Sequence, residues 1–227
     1  MPPPSDIAGV ILAGGRGRRM GGVVKALLPL AGLSLLDHAL ERLGGQVSLI
    51  GISANDPGIV SARPILTDAH DDRRGPLAGL LAGMVWATAQ GGINRIVSVP
   101  VDCPFLPRDL VAALSHTATA MGAQVVVAAS GSVEHPTVAL WDLTLIDALC
   151  AVVEAGTDLS VRRFYQRHAV AICAFGGQGI DPFFNINTPG DLARAEDACR
   201  MAKDLEAVVA RDADEGHADR LGLANGK

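Results

Sequence analysis

Between Leu12 and Gly22 the chain reads LAGGRGRRMGG, and Lys25 follows shortly after. Glycines leave backbone N–H groups bare, and successive N–H groups in a turn can close on phosphate oxygens. Arg16, Arg18, Arg19 and Lys25 add positive charge to this loop, and no acid stands between Asp6 and Asp37. Such a concentration of cations in a chain of net charge −5 points to a compact anionic ligand, and a triphosphate fits. Two well-known phosphate-loop spacings are not met. The dinucleotide fingerprint needs a third glycine where Met20 stands after Gly15-x-Gly17, and a P-loop lysine needs a glycine before it and Ser or Thr after it, whereas Lys25 lies between Val24 and Ala26. A solvated basic loop on a glycine turn is the structural alternative.

The second chemical feature is Val99-Pro100-Val101-Asp102-Cys103-Pro104. It places a carboxylate directly after an apolar run, between two prolines that fix the backbone. Mg²⁺ takes oxygen ligands and commonly uses one or two carboxylates together with substrate phosphates, so Asp102 is a metal candidate as well as a candidate turn residue. Asp68 follows Pro64–Thr67, with Asp71, Asp72, Arg73 and Arg74 just beyond; these acids could equally favour a helix N-terminus. Asn55 stands after another apolar run. Phe183-Phe184-Asn185-Ile186-Asn187-Thr188-Pro189 sets two amides before a helix start, where they can read a ligand or form a turn. His135-Pro136-Thr137 offers a polar contact or a plain strand entry.

These residues need a frame. Ile7–Ala13 is an uninterrupted apolar run, as expected of a strand buried on both faces. Further strands are expected at 47–53, 64–67, 95–99, 125–129, 137–141 and 169–174. Helices are expected at 34–43, where Ser34 and Asp37 have capping-box spacing, and at 76–90, opened by Pro76. Others are expected from Pro107 to Met121, at 143–154, at 159–167, and after Thr188-Pro189-Gly190-Asp191. Alternation of this kind predicts a three-layer α/β/α sandwich on a mostly parallel sheet, whose ligands bind at the carboxyl ends of the strands. The glycine loop and Asp102 would then share one edge.

Composition limits the function classes. With 49% hydrophobic and 19% charged residues the chain is not an intrinsically disordered one. Its acidic balance disfavours nucleic-acid binding, and its four scattered cysteines fit neither a zinc knuckle nor a disulfide scaffold. The apolar stretch from Gly75 to Asn94 is interrupted by Pro76 and the Gly91-Gly92 pair and is too short to span a bilayer, and the N-terminus has no signal-like core. A cytoplasmic protein without nucleic-acid or membrane partners is expected. Residues 1–210 read as one domain; 211–227, in a stretch rich in both acids and bases, reads as a flexible tail.

Taken together, Leu12-Ala13-Gly14-Gly15, Arg19-Met20-Gly21-Gly22, Lys25, Gly75-Pro76-Leu77-Ala78-Gly79, Pro100-x-Asp102-x-Pro104, His135-Pro136-Thr137 and Asn185-x-Asn187-Thr188-Pro189 resemble, in order, the Rossmann-like nucleotidyltransferases, and more closely the molybdenum cofactor guanylyltransferases. The resemblance implies the fold of nucleotide-diphospho-sugar transferases, with transfer of GMP from GTP to the phosphate of molybdopterin and release of pyrophosphate. It implies GTP on Leu12, Ala13, Gly14, Gly15, Lys25, Asn55, Asp68 and Asp102, with Mg²⁺ on Asp102. Arg19, Gly22, Asn185 and Asn187 would lie nearer the pterin, and Lys25, Asp102 and Arg19 would carry the catalysis. Cofactor-accepting molybdoenzymes or their chaperones are the protein partners it suggests. One departure stands out: the family usually has an acid before the lysine, and this chain has Val24. The alternatives are a cytidylyltransferase on the same pterin, a sugar-phosphate nucleotidyltransferase, which usually needs more chain, and a non-catalytic nucleotide-dependent carrier of the cofactor.

Overall fold

The computed structural model describes residues 6–14, 16–17, 22–67, 75–176 and 179–202, with the backbone alone at 16–17. Strand β1 (Ile7–Leu12) is buried from Ile7 to Ile11, as its unbroken apolar run requires. Beyond it, β2 (Arg16–Gly17) pairs antiparallel with β3 (Val23–Val24), and a single 3₁₀ turn covers Lys25–Leu27. A small hairpin of β4 (Pro29–Leu30) and β5 (Leu33–Ser34) follows, turned by Ala31 and Gly32, both at positive φ. Helix α1 (Leu35–Gly44) then starts on the expected capping box of Ser34 and Asp37.

The remaining elements alternate. Strand β6 (Leu49–Ser53) and the short β7 (Ile65–Leu66) precede α2 (Gly75–Gln90) and β8 (Arg95–Pro100). Then come α3 (Leu110–Met121), β9 (Val125–Ser130) and β10 (Val133–Asp142). A 3₁₀ turn leads into α4 (Ile146–Ala155), followed by α5 (Val161–Tyr165) and β11 (Val170–Phe175). A last helix, α6, covers residues 189–202. The seven-stranded sheet has the order β11-β9-β10-β8-β1-β6-β7. All neighbours are parallel except β10, which runs against both β8 and β9.

Two apolar layers sandwich this sheet. Side chains of α1 and α3 pack on Ile7, Ile11, Ile50, Ile52, Val97 and Val99, while α2, α4 and α5 pack on Ala8, Val10, Ile96, Val127 and Trp141. The three-layer arrangement is therefore as expected. A third, smaller cluster joins Leu30 and Leu35 to Ile186 and Ala195 of the C-terminal segment. At the sheet centre the indole N–H of Trp141 donates to Ser98 Oγ (2.8 Å), and that hydroxyl donates to the Thr137 carbonyl (2.9 Å), so the buried polar atoms are partnered.

Several expectations need correction. Pro107 does not open α3, which begins at Leu110. The Gln46 side chain binds the Pro107 carbonyl (2.8 Å) and accepts from Val111 N (3.0 Å), so a residue from another element supplies the start signal. The strand expected at 137–141 extends back to Val133, across a register break between His135 and Ala139. The helix expected at 159–167 contracts to α5: Ser160 caps its start by accepting from Arg163 N, and at its end Arg167 N and His168 N turn to carbonyls three residues back, Phe164 O (3.2 Å) and Tyr165 O (3.0 Å). The expected boundary near residue 210 and the tail at 211–227 lie outside the described residues. Among the described residues no helix is long and apolar enough to cross a membrane.

Candidate active site

The parallel strands β1, β6 and β8 end at one edge, and backbone bonds continue their register past the strands. Ala13 N donates to Ser53 O (2.8 Å), and Val101 N donates to Leu12 O (3.1 Å). Leu12 is half-buried toward the α2 layer, Ala13 is buried, and Gly14 emerges into open space where a Cβ would touch nothing. Gly22 is exposed at φ 82°, a conformation that favours glycine. Asn55 is exposed just beyond β6. Gly15, Arg19 and Asp68 lie outside the described residues.

Asp102 occupies the turn after β8, anchored from behind by Cys103. The Cys103 thiol is fully buried and points at the Phe183 carbonyl (3.5 Å); burial, aided by the nearby Asp102 and Asp181 charges, pushes its pKa well above the ordinary value. It is an inert packing group rather than a nucleophile. The carboxylate of Asp102 faces the edge and accepts from Lys25 Nζ at 2.7 Å. Lys25 Nζ also donates to Asn187 Oδ1 at 2.6 Å. Asn185, with its amide oriented by the bonding around it, donates to both oxygens of Asp102. The backbone joins in: Ile186 N donates to the Asp102 carbonyl (3.0 Å). Four of the sequence candidates, Lys25, Asp102, Asn185 and Asn187, therefore form one bonded cluster, although they come from three distant parts of the chain.

The local folding explains each placement. Ala26 is fully buried and fixes the 3₁₀ turn, so that Lys25 projects from a held backbone. Val24, in place of the acid usual in the resembling family, packs against the α1/α3 layer. The orientation of Lys25 is set by Asp102 and Asn187, not by the residue before it. Asn187 is held in turn by Asp191, whose carboxylate accepts from Asn187 N (3.1 Å), Thr188 N (2.9 Å) and Thr188 Oγ1 (2.9 Å). These bonds stabilise the ionised form and hold the Asp191 pKa below the ordinary value.

Beside this cluster lies a second polar group. Ser130 Oγ donates to Asp181 Oδ2 (2.7 Å) and meets His135 Nε2 at 2.7 Å. Since the Ser130 proton is committed to the carboxylate, Nε2 of His135 must donate, which fixes the tautomer. Asp181 Oδ1 also accepts from Phe183 N (2.7 Å), and the His135 ring packs on Phe183 with centroids 4.7 Å apart. Burial lowers the His135 pKa, partly opposed by Asp181. This group ties the end of β9, the start of β10 and the segment carrying Asn185 and Asn187 together. Sequence reasoning missed Ser130 and Asp181. Ser130 gave no signal; Asp181-Pro182 is a turn dipeptide that could have been read as the anchor of this loop.

The family described as MobA-like NTP transferase domain matches residues 9–174. A molybdenum cofactor guanylyltransferase of Mesorhizobium japonicum is 43% identical over 84% of this chain and 94% of its own length. Among solved structures, molybdopterin-guanine dinucleotide biosynthesis protein A of Archaeoglobus fulgidus superposes with a TM-score of 0.70 at 22% identity, covering 86% of this chain and 99% of that one. A Mycobacterium tuberculosis protein in complex with manganese superposes with a TM-score of 0.61 at 18% identity, over 85% of this chain and 99% of its own. The chain belongs to the MobA-like NTP transferase family.

Proposed function

We propose that this protein is a molybdenum cofactor guanylyltransferase, which transfers GMP from GTP to the terminal phosphate of molybdopterin and releases pyrophosphate. The observation that carries the reading is the bonded cluster of Lys25, Asp102, Asn185 and Asn187 at the strand ends, where Gly14 is exposed. A cation and an anion meet there, which supports a site for a triphosphate and its metal ion. Relatives that match 84% and 86% of this chain carry the same activity in their names.

Chemically, an oxygen of the pterin phosphate attacks the α-phosphorus of GTP in line with the departing pyrophosphate. A P–O bond forms to the acceptor as the bond to the β-phosphate bridge breaks. The nucleophile is already an anion, so no general base is needed, and the protein's contribution is positioning and charge stabilisation. Gly14 N–H and Lys25 would hold phosphate oxygens, with Gly15 and Asp68 assigned to the nucleotide, and Arg19 to the acceptor side, by sequence. Leu12, Ala13 and Asn55 would line the nucleotide, and Gly22, Asn185 and Asn187 the acceptor side.

A divalent cation fits this donor set. Asp102 offers an ionised oxygen at a partly exposed position, and hard cations take such ligands. Among the described residues no group of three acids, histidines or cysteines is arranged for a metal, so phosphate oxygens and water would complete the shell. Mg²⁺ held there would offset the charge that builds between the α-phosphoryl group and leaving pyrophosphate.

The test is pyrophosphate release from purified protein given GTP, Mg²⁺ and molybdopterin, with each omitted in turn and with CTP replacing GTP. Release that requires all three components, and falls with CTP, is expected. Equal or faster turnover with CTP would reassign the base, and no release would leave the cofactor-carrier reading in its place.

A further inference from the structure

In the structure the Asp102 carboxylate is already engaged. Lys25 Nζ lies 2.7 Å from its Oδ2, Asn185 donates to both its oxygens, and the two charged side chains are only 13% and 17% exposed. A dication arriving at Asp102 would meet an ammonium on the same oxygen, with little water between to screen the repulsion. For the cation to bind, Lys25 must let go. An ammonium that leaves its partner in a half-buried site needs another anion, because stranding it there is costly.

Lys25 has the means to swing. Its backbone is held by the buried Ala26 and by the bond from Leu28 N to its own carbonyl (3.0 Å), so the movement is confined to the side chain. Asn187 Oδ1, at 2.6 Å, is a neutral second acceptor that it can keep while leaving Asp102. Asn187 is itself fixed by Asp191. What the described residues around Lys25 do not supply is a second carboxylate within ion-pair distance. A triphosphate supplies that missing negative charge.

We infer that Lys25 is the resident counter-ion of Asp102 and yields this carboxylate to the divalent cation only when a nucleoside triphosphate arrives to receive its ammonium, so that cation and nucleotide enter as coupled ligands. The inference rests on the metal role assigned to Asp102 above. It assigns Lys25 two successive partners, and it makes free cation a poor ligand for the empty site. By linkage, whatever factor the nucleotide adds to cation affinity the cation returns to nucleotide affinity.

The experiment uses Mn²⁺ as the probe, with bound metal followed by electron paramagnetic resonance or water-proton relaxation and no pterin present. Wild-type protein, Lys25→Met and Asp102→Asn are titrated with and without GTP. Wild type should bind Mn²⁺ weakly alone, and Lys25→Met should bind Mn²⁺ alone tighter by on the order of tenfold, a typical coupling factor. The additional tightening contributed by GTP should shrink in the same variant. If Lys25→Met binds free Mn²⁺ no better than wild type while Asp102→Asn loses it, the exchange is wrong and the metal role of Asp102 stands. If Asp102→Asn binds Mn²⁺ with GTP as well as wild type does, the metal role falls and the exchange with it. Thermal unfolding confirms that each variant is folded, and Lys25→Gln, which keeps a polar end for Asn187, gives the same reading should the methionine disturb the turn.

Discussion

Gly83 of α2 lies over Val10 of β1 so closely that a Cβ on the glycine would sit 2.7 and 2.8 Å from the two γ-methyls of the valine and 3.2 Å from its Cβ. A β-branched side chain with both methyls engaged has no rotamer that relieves this. Gly83→Ala should therefore lower stability by about 1–3 kcal/mol through overpacking, against the roughly 1 kcal/mol that alanine gains over glycine in a helix. Chemical denaturation measures it. Val10→Ala in the same chain should remove much of the penalty, and additive losses would show that the two residues do not clash.

Asp102→Asn retains shape and most bonding but removes the anion. Turnover should fall by at least about a hundredfold, as when a charge-stabilising group is lost, and recover in part at high Mg²⁺. The melting temperature should fall as well, because the Lys25 ammonium is left without its carboxylate. A rate curve against Mg²⁺ that is unchanged would mean that Asp102 serves only the turn and the ion pair.

His135 gives a pH dependence with a definite sign. Its folded pKa is lowered by burial, so the unfolded chain binds its proton more readily. The stabilisation is complete above the ordinary histidine pKa of about 6.5 and is lost as pH falls through the lower folded value. His135→Gln should flatten the melting-temperature profile in that window; a profile of unchanged slope would assign it to other groups.

Asp191 acts at lower pH. Its carboxylate is stabilised by the three bonds at the start of α6, and its contribution is present above the ordinary aspartate pKa and lost as pH falls through the depressed one. Asp191→Asn should be less stable than wild type at neutral pH, and the two proteins should converge below about pH 4. A gap that persists in strong acid would place the effect in packing instead.

The layered fold was legible because the strands are buried on both sides: Ile7–Leu12 and Val125–Ala129 carry no polar side chain, and Ser34/Asp37 and Thr188/Asp191 mark helix starts by local chemistry alone. The direction of β10 was not legible, since a strand's pattern is the same read along either neighbour. The start of α3 was hidden for another reason: the group that sets it is Gln46, far away in sequence. At the site, residue types pointed to Lys25, Asp102, Asn185 and Asn187, but not to their contacts with one another, which depend on how the sheet edge folds back on the C-terminal segment. Ser130 and Asp181 are ordinary loop-flanking residues until that segment closes over them.

The small cluster of Leu30, Leu35, Ile186 and Ala195 fastens the C-terminal segment to the hairpin that follows Lys25. A fragment cut after Phe175 would retain every described strand and the whole span that matches the family, residues 9–174. It would nevertheless wet Leu30 and Leu35 beneath the hairpin that follows Lys25, and it would take away both amides that steady the Lys25–Asp102 pair. The C-terminal segment is therefore a clasp: it fastens the hairpin after Lys25 and steadies the Lys25–Asp102 pair at once.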